Sequence, residues 1–231
     1  MSADADDAKP HYLGHRQRLR ERFMRAGAEA LADYELIELL LGMAQPRGDM
    51  KPVAKALIAR FGSFAEVVSA EPADLAAIAG TGPVSVAALK LVREAAVRLA
   101  RQQVLARPVL SSWEALLDYC TAAMANLRSE QFRLLFLDRK NVLIADEVQQ
   151  RGTIDQAPVY PREVARRSLE LHASAVIMVH NHPTGDPTPS KADGDMTRQV
   201  REALKAVGVT LHDHVVIGRG SYWSFRSQGM I

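Results

Sequence analysis

Two histidines and an aspartate in the second half of the chain have side chains suited to binding a metal ion. His180 and His182 stand two residues apart, directly after the apolar run 175–179. Because a β-strand turns alternate side chains to the same face, both imidazoles can point to one place. Asp193 follows the Pro/Gly-rich segment 183–189, which predicts a surface loop that can return the carboxylate towards the histidines. Two imidazoles and one carboxylate are typical of a zinc ion that keeps a fourth position for water.

The same residues have simpler interpretations when each is taken separately. Ser190 and Asp193 form Ser-x-x-Asp, which is close to a capping box, so Asp193 could satisfy only backbone N–H groups of a helix. A His-x-His pair also occurs in loops that bind no metal. The combination of a strand end, a Pro/Gly loop and a helix start in one segment favours the metal site.

The whole segment 180–193, His-Asn-His-Pro-Thr-Gly-Asp-Pro-Thr-Pro-Ser-Lys-Ala-Asp, resembles the signature of the JAMM (MPN+) metallopeptidases. The residues of this segment are similar to those of the RadC branch of that family, which carries the name "DNA repair protein RadC". The resemblance extends from about Gly14 to the C-terminus, and Thr184 replaces a serine that is frequent in relatives. It implies one zinc ion per chain, held by His180, His182 and Asp193. It also implies hydrolysis of amide or isopeptide bonds in a protein or peptide substrate that the sequence does not identify. The alternative, which the name of the branch suggests, is a DNA-associated repair or recombination accessory protein whose metal site is structural or vestigial.

Two further catalytic residues are implied by the same resemblance. Glu130 matches the family glutamate at the start of the first strand of the domain, which takes the proton from the attacking water and delivers it to the leaving amine. Without the resemblance, Glu130 would be interpreted as an exposed carboxylate at a strand edge. Ser190 matches the residue whose hydroxyl stabilises the oxyanion, and it can cap the following helix at the same time.

A second His-x-His pair, His212 and His214, competes with the first for the role of metal site. Asp213 is the only candidate third ligand beside it. We therefore predict that these residues lie in the core or hold a ligand histidine in its metal-binding tautomer, and that they do not bind the ion themselves. A zinc deaminase would require His-x-Glu followed by Pro-Cys-x-x-Cys. Position 182 is histidine and Cys120 is the only cysteine, so that class is excluded.

Composition sets broad limits on the class of protein. The chain has 231 residues and 48% hydrophobic content, enough for one large or two small domains. A net charge of +2 argues against a surface that is coated by nucleic acid. A single cysteine excludes a disulfide framework. With a polar, acidic N-terminus and no apolar stretch of membrane-spanning length, we expect a soluble, cytoplasmic protein without a membrane partner.

An arginine-rich segment near the N-terminus has two interpretations that remain open. Residues 14–25 predict a helix in which Leu19 and Phe23 share one face. Arg16, Arg18 and Arg22 would then contact phosphates of DNA, or their stems would cover a small core while their charges stay solvated.

The segment 75–89 resembles a helix-hairpin-helix motif. Gly80 and Gly82 would permit its tight turn, and the next helix would present N–H groups to a DNA phosphate. Thr81 replaces the usual apolar residue, and no basic residue follows until Lys90. A helical packing module is therefore at least as well supported as a DNA contact.

The residue pattern of the sequence changes near Pro108, which follows a long helical pattern rich in Ala, Leu and Arg. We predict a disordered tail over residues 1–13, a helical domain with the hairpin over 14–107 and an α/β domain over 108–231. Within the second domain we expect a strand over 174–179 that leads into the metal loop. The resemblance implies a JAMM/MPN-type α/β sandwich similar to the fold of cytidine deaminases.

Overall fold

The computed structural model describes residues 11–105, 108–151 and 159–231. The chain divides into two compact units, with the division between Glu94 and Ala95. The predicted tail lies outside the described residues as far as residue 10, and the first helix begins at His11. The predicted domain boundary at residues 107/108 stays a prediction. No helix within the described ranges is both long enough and apolar enough to cross a membrane.

The first unit is built from α-helices around one apolar core. They are α1 (His11–Ala26), α2 (Asp33–Ala44), α3 (Lys51–Phe61), α4 (Phe64–Ser69), α5 (Pro72–Ala76) and the first turns of α6 (Pro83–Leu105). Buried aliphatic side chains from these helices, including Leu41, Leu57 and Leu89, form the core. Gly62 ends α3, and Ser63 caps α4 by accepting a hydrogen bond from the Glu66 N–H.

The second unit is a mixed β-sheet covered by helices. Its elements are α7 (Trp113–Met124), β1 (Gln131–Leu137), β2 (Leu143–Arg151), α8 (Pro161–Glu170), β3 (Ala175–Asn181), α9 (Lys191–Ala206), β4 (Thr210–Ile217) and β5 (Tyr222–Ser224). The strand order is β2-β1-β3-β4-β5, and β3 pairs parallel with β4 whereas the other neighbours are antiparallel. This architecture confirms the predicted fold class, a helical region followed by an α/β sheet domain.

The central strand β3 shows how the sheet separates two cores. Ile177 and Val179 pack in the cluster that contains α7. Val176 and Met178 pack in the cluster that contains α8 and α9. Because side chains alternate along a strand, the histidine at position 180 continues the row on the α9 face.

A register shift between β3 and β4 decides where the second histidine pair points. Val176 pairs with Leu211, whereas the next residue, Ile177, pairs with Asp213. Position 212 is thus skipped, and the alternation of β4 changes phase at this point. As a result His212 and His214 do not form a matched pair on one face of the sheet.

Candidate metal centre

His180 lies inside the sheet and not in the loop that follows it. The predicted strand ends at Val179, but β3 continues to Asn181, so this expectation was too short by two residues. His180 is fully buried, and its ring stacks on Phe132 with centroids 5.9 Å apart and planes inclined by 10°. The aromatic contact and the ladder with β1 fix the direction of this imidazole.

His182 is held at the mouth of the loop by two hydrogen bonds. Its backbone N–H donates to the Ile217 carbonyl at 3.0 Å. Its ring Nδ1 lies 2.8 Å from the Asp186 carbonyl oxygen, which can only accept, so Nδ1 carries the proton. The Nε2 lone pair of His182 is therefore free to bind a metal ion.

Asp193 enters the site from the first turn of α9. Ser190 is the N-cap of this helix, and its hydroxyl accepts from the Asp193 N–H at 3.2 Å. In return, Asp193 Oδ2 accepts from the Ser190 N–H at 2.7 Å and from the Ser190 hydroxyl at 2.6 Å. The structure therefore contains the capping box, and these hydrogen bonds orient the carboxylate so that Oδ1 faces His180.

The three predicted ligand side chains converge on one point. His180 Nε2 lies 3.1 Å from His182 Nε2 and 3.4 Å from Asp193 Oδ1. His182 Nε2 lies 3.8 Å from the other carboxylate oxygen, Asp193 Oδ2, and one ligand atom from each of the three side chains lies within 4.8 Å of the other two. Zinc bonds of about 2.0–2.1 Å in tetrahedral arrangement place ligand atoms about 3.3 Å apart, so the donor set fits such an ion. Among the residues that the structure describes, His180, His182 and Asp193 are the group of three His, Cys, Asp or Glu side chains placed so that they could hold a metal ion.

The electrostatics of the cluster favour a neutral His180 and an ionised Asp193, whereas the hydrogen bond with Asp193 raises the pKa of His182, so an ion must displace a proton from that ring. Burial lowers the pKa of His180 to about 4, so this ring is neutral at pH 7. Burial opposes ionisation of Asp193, but the interaction with a protonated His182 and the hydrogen bonds from Ser190 hold its pKa well below the usual value in the metal-free site. A neutral imidazole and an ionised carboxylate are the forms that coordinate divalent cations.

His214 supports the site from the neighbouring strand. It is fully buried, its Nε2 lies 2.8 Å from His180 Nδ1, and its ring stacks on Phe225 at 4.8 Å.

His212 lies elsewhere, with Nε2 2.6 Å from Asn141 Oδ1. Asp213 accepts from the Ser224 hydroxyl and from the N–H groups of His214 and Arg226.

Thr197 is a residue of the site that sequence reasoning missed. Its hydroxyl lies 2.6 Å from His214 Nδ1 and 2.5 Å from the Asp193 carbonyl oxygen. The only signal in the sequence is its spacing, since residues four apart on a helix share a face. That spacing from Asp193 could have indicated a side chain directed into the sheet.

The loop between β3 and α9 is packed closely against the β4–β5 turn. Arg219 donates from its side chain to the Pro183 carbonyl at 3.2 Å and from its backbone N–H to the Gly185 carbonyl at 2.9 Å. A Cβ atom at Gly218 would lie 2.4 Å from the Gly185 oxygen and 2.8 Å from Pro187 Cδ. Only glycine at position 218 allows this approach.

Glu130 lies in the segment immediately before β1, and its side chain is partly buried. Burial raises the pKa of its carboxyl, the charge of Asp193 raises it further, and the charge of His182 lowers it. Glu130 is therefore within electrostatic reach of two of the three predicted ligands, although His182 and Asp193 lie 52 and 63 positions further along the sequence.

The arginines predicted to contact DNA are partly engaged inside the first unit. Arg16 donates to the carbonyls of Gln45, Pro46 and Gly48 and so closes the end of α2. Arg22 forms an ion pair with Glu35. The side chain of Arg18 is exposed. These contacts agree with the packing interpretation of α1, and phosphate contacts of the three arginines stay a prediction.

The glycines of the predicted hairpin lie between α5 and α6. Gly80 has a φ of 86°, and a Cβ atom there would lie 2.6 Å from Val53 Cγ2. Gly82 directly precedes α6. The Lys90 ammonium donates to the carbonyls of Val68 and Ala70 at 3.0 and 2.9 Å, where it closes the C-terminal end of α4. A contact of Gly80 and Gly82 with DNA stays a prediction.

Comparison with known proteins shows the family of the chain. Residues 110–230 match the family model described as the RadC-like JAB domain. The chain belongs to this RadC-like family. Residues 11–87 match a second model, the UPF0758 N-terminal region. A UPF0758 protein of Rhodobacter capsulatus is 62% identical over 213 residues, which is 92% of this chain and 100% of the relative. A UPF0758 protein of Ruegeria pomeroyi is 56% identical over 223 residues, covering 96% of this chain and 100% of the relative.

Proposed function

We propose that this RadC-like protein is a zinc-dependent hydrolase that cleaves amide or isopeptide bonds in a protein or peptide substrate. The observation that carries the proposal is the convergence of His180, His182 and Asp193, each of which offers one ligand atom within 4.8 Å of the other two. Three ligand side chains of this type leave one coordination position for water, as in catalytic zinc sites. When bound, the zinc ion would act as a Lewis acid towards the carbonyl and make the water acidic.

Glu130 is proposed as the general base. Its raised pKa suits a group that must accept a proton from water and later deliver it to the departing amine. The effect of the Asp193 charge on this pKa supports a position of the carboxyl near the proposed ligands. The base and the ligands therefore come from separate elements that the fold brings together.

Ser190 is proposed to act in two ways. Its hydroxyl donates to Asp193 Oδ2 at 2.6 Å and thereby orients this ligand. To stabilise the oxyanion of the tetrahedral intermediate, the hydroxyl must turn from Asp193 towards the substrate. The Ser190 N–H continues to hold Asp193 Oδ2 while it does so, at 2.7 Å.

The test compares zinc content and hydrolysis in matched variants. The purified chain is loaded with zinc and incubated with a library of internally quenched peptides that includes lysine isopeptides. Glu130→Gln is expected to retain one zinc ion per chain and to lose hydrolysis by about 10²–10⁴-fold, the usual contribution of a general base. Glu114→Gln, an exposed carboxylate on α7, is the control and should retain activity.

Each result has a defined meaning. If His182→Ala abolishes zinc binding and Glu130→Gln abolishes only hydrolysis, the assigned roles hold. If Glu130→Gln cleaves the same peptides at the wild-type rate, Glu130 is not the base and the mechanism is wrong.

A further inference from the structure

Asn181, which stands between the two histidines in β3, is fully buried, and its side chain bonds to the segment that carries Glu130. Its Oδ1 accepts a hydrogen bond from the Gln131 N–H at 2.9 Å. Its Nδ2 donates to the Ser129 carbonyl at 3.2 Å. Because an N–H can only donate and a carbonyl can only accept, the two partners determine the orientation of the amide.

The Asn181 side chain continues the pairing between β1 and β3 beyond the end of the backbone ladder. The terminal backbone pair of the two strands is Phe132 with His180. One residue further, the Gln131 N–H bonds to the side-chain amide of Asn181 in place of a backbone carbonyl. A planar primary amide offers one donor and one acceptor, as a peptide group does, so it can substitute for a strand partner.

The two bonded groups flank the α-carbon of Glu130. The Ser129 carbonyl belongs to the peptide group before Glu130, and the Gln131 N–H belongs to the peptide group after it. The orientations of these two planes define φ and ψ of Glu130, since these are the only soft backbone dihedrals of a residue. One rigid amide that holds both planes leaves Glu130 only its side-chain torsions.

We propose that Asn181 is a positioning residue that fixes the backbone of Glu130 relative to the metal ligands. Asn181 is the sequence neighbour of both His180 and His182. It therefore holds the backbone of Glu130 directly against the strand that carries these two histidines. A shift of β3 would carry the two histidine ligands and the backbone of Glu130 together. This inference rests on the proposed function only in taking Glu130 as the base, and the hold on the backbone can be measured without it.

The first measurement uses the metal-free protein and needs no activity. Amide hydrogen exchange of Gln131 is compared by NMR in the wild type and in Asn181→Ala, with the amide of Met178 in the middle of β3 as internal reference. Removing the acceptor should accelerate exchange of Gln131 about tenfold or more, whereas Met178 should change less than about twofold. Ser168→Ala, which removes another buried hydrogen bond of this unit, should leave Gln131 unchanged.

Asn181→Asp provides a second variant if the alanine variant does not fold. It keeps an acceptor for Gln131 and loses the donor to Ser129. Protection of Gln131 should then persist, while the amide resonances of Ser129 and Glu130 should shift or broaden.

The second measurement links position to catalysis on the zinc-loaded protein. With a quenched peptide that the wild type cleaves, Asn181→Ala should lower kcat about tenfold or more and change KM and zinc affinity less than about threefold. A structural role alone would weaken zinc binding and accelerate exchange throughout β3.

Unchanged exchange of Gln131 in Asn181→Ala overturns the inference, whatever the enzyme does. Uniform acceleration across β3 with loss of zinc also overturns it, in favour of a role in stability. If Glu130→Gln proves fully active, the proposed function fails, and the exchange of Gln131 still decides whether Asn181 holds this backbone.

Discussion

His180 Nδ1 and His214 Nε2 lie 2.8 Å apart, so the two buried imidazoles share one hydrogen bond. The direction of this bond follows from the groups on either side. If His180 binds an ion through Nε2, its Nδ1 carries the proton and donates to His214 Nε2. His214 Nδ1 then carries a proton and donates to the Thr197 hydroxyl, which donates to the Asp193 carbonyl. The chain of bonds fixes the tautomer of His180 and ends on the backbone of another ligand.

Thr197→Val is expected to weaken zinc binding although Thr197 does not touch the ion. The substitution keeps the volume of the side chain and removes the acceptor for His214 Nδ1, so the tautomer of His180 is no longer fixed. Loss of such an outer partner typically costs 10–100-fold in metal affinity, and we expect about tenfold here. Competition with a chromophoric chelator measures the affinity, with Ser168→Ala as a control. Equal affinities of Thr197→Val and wild type would contradict the proposed chain.

Gly218→Ala is expected to disturb the metal loop from outside. The new Cβ would meet the Gly185 carbonyl at 2.4 Å, so the loop that joins His182 to Asp193 must move. Zinc affinity should fall by at least about tenfold, since ligand geometry is strict.

Gly220→Ala is the matched control for Gly218→Ala. Gly220 has a φ of 76°, but a Cβ there meets no atom within 4 Å. Its substitution should cost about 1 kcal/mol of folding free energy through backbone strain and leave zinc affinity unchanged. If both variants bind zinc like the wild type, the contact between turn and loop does not control the site.

Cys120 is expected to be chemically inert in the folded protein. The side chain is buried in the core under α7, and burial raises the pKa of the thiol to about 12. At pH 8 only about one thiol in ten thousand would be ionised, and the thiolate is the reactive form. Ellman's reagent should therefore react at the rate of unfolding, and immediately in urea. Stoichiometric reaction of the native protein within minutes would show that the thiol is accessible.

The Arg22–Glu35 ion pair predicts a pH-dependent contribution to the stability of the first unit. Burial raises the pKa of Glu35, but the hydrogen bond from Arg22, the hydrogen bond from the Ala32 N–H and the charges of Arg22 and Lys51 together outweigh it and lower the pKa below 4.5. A carboxyl with a depressed folded pKa stabilises above its unfolded pKa, and the stabilisation is lost as pH falls through the folded value. Glu35→Gln should thus be less stable than wild type by about 1 kcal/mol at pH 7 in urea unfolding, with a smaller difference at pH 3. A difference independent of pH would contradict the ion pair.

DNA binding through α1 is best tested with Arg18→Gln. Arg16 and Arg22 hold other parts of the unit, so their substitution changes stability as well as charge. If α1 contacts phosphates, binding of a fluorescent duplex should weaken steeply with salt, and Arg18→Gln should weaken it and reduce the salt slope by about one ion. Affinity that does not depend on salt, measured by anisotropy, would exclude this role.

The three proposed ligands could be singled out in the sequence because the patterns that point to them are local. His180 and His182 are related by strand alternation, and Asp193 by a capping box, so each relationship spans only a few residues. The end of β3 was misplaced because histidine and asparagine resemble loop residues unless neighbouring strands cover them. The role of His214 depends on the parallel register with β4 and its shift at position 212, which no local pattern encodes.

The three ligand residues also lie at the beginning of the β3–α9–β4 crossover, the parallel connection of the described sheet. Contacts between parallel strands join distant parts of a chain and therefore form late in folding. An ion bound by the proposed ligands would link the end of β3 to the first turn of α9. When these elements separate on unfolding, the ion would lose at least one ligand. Metal supply would then set the lifetime of the folded domain against proteases, apart from any effect on turnover of substrate.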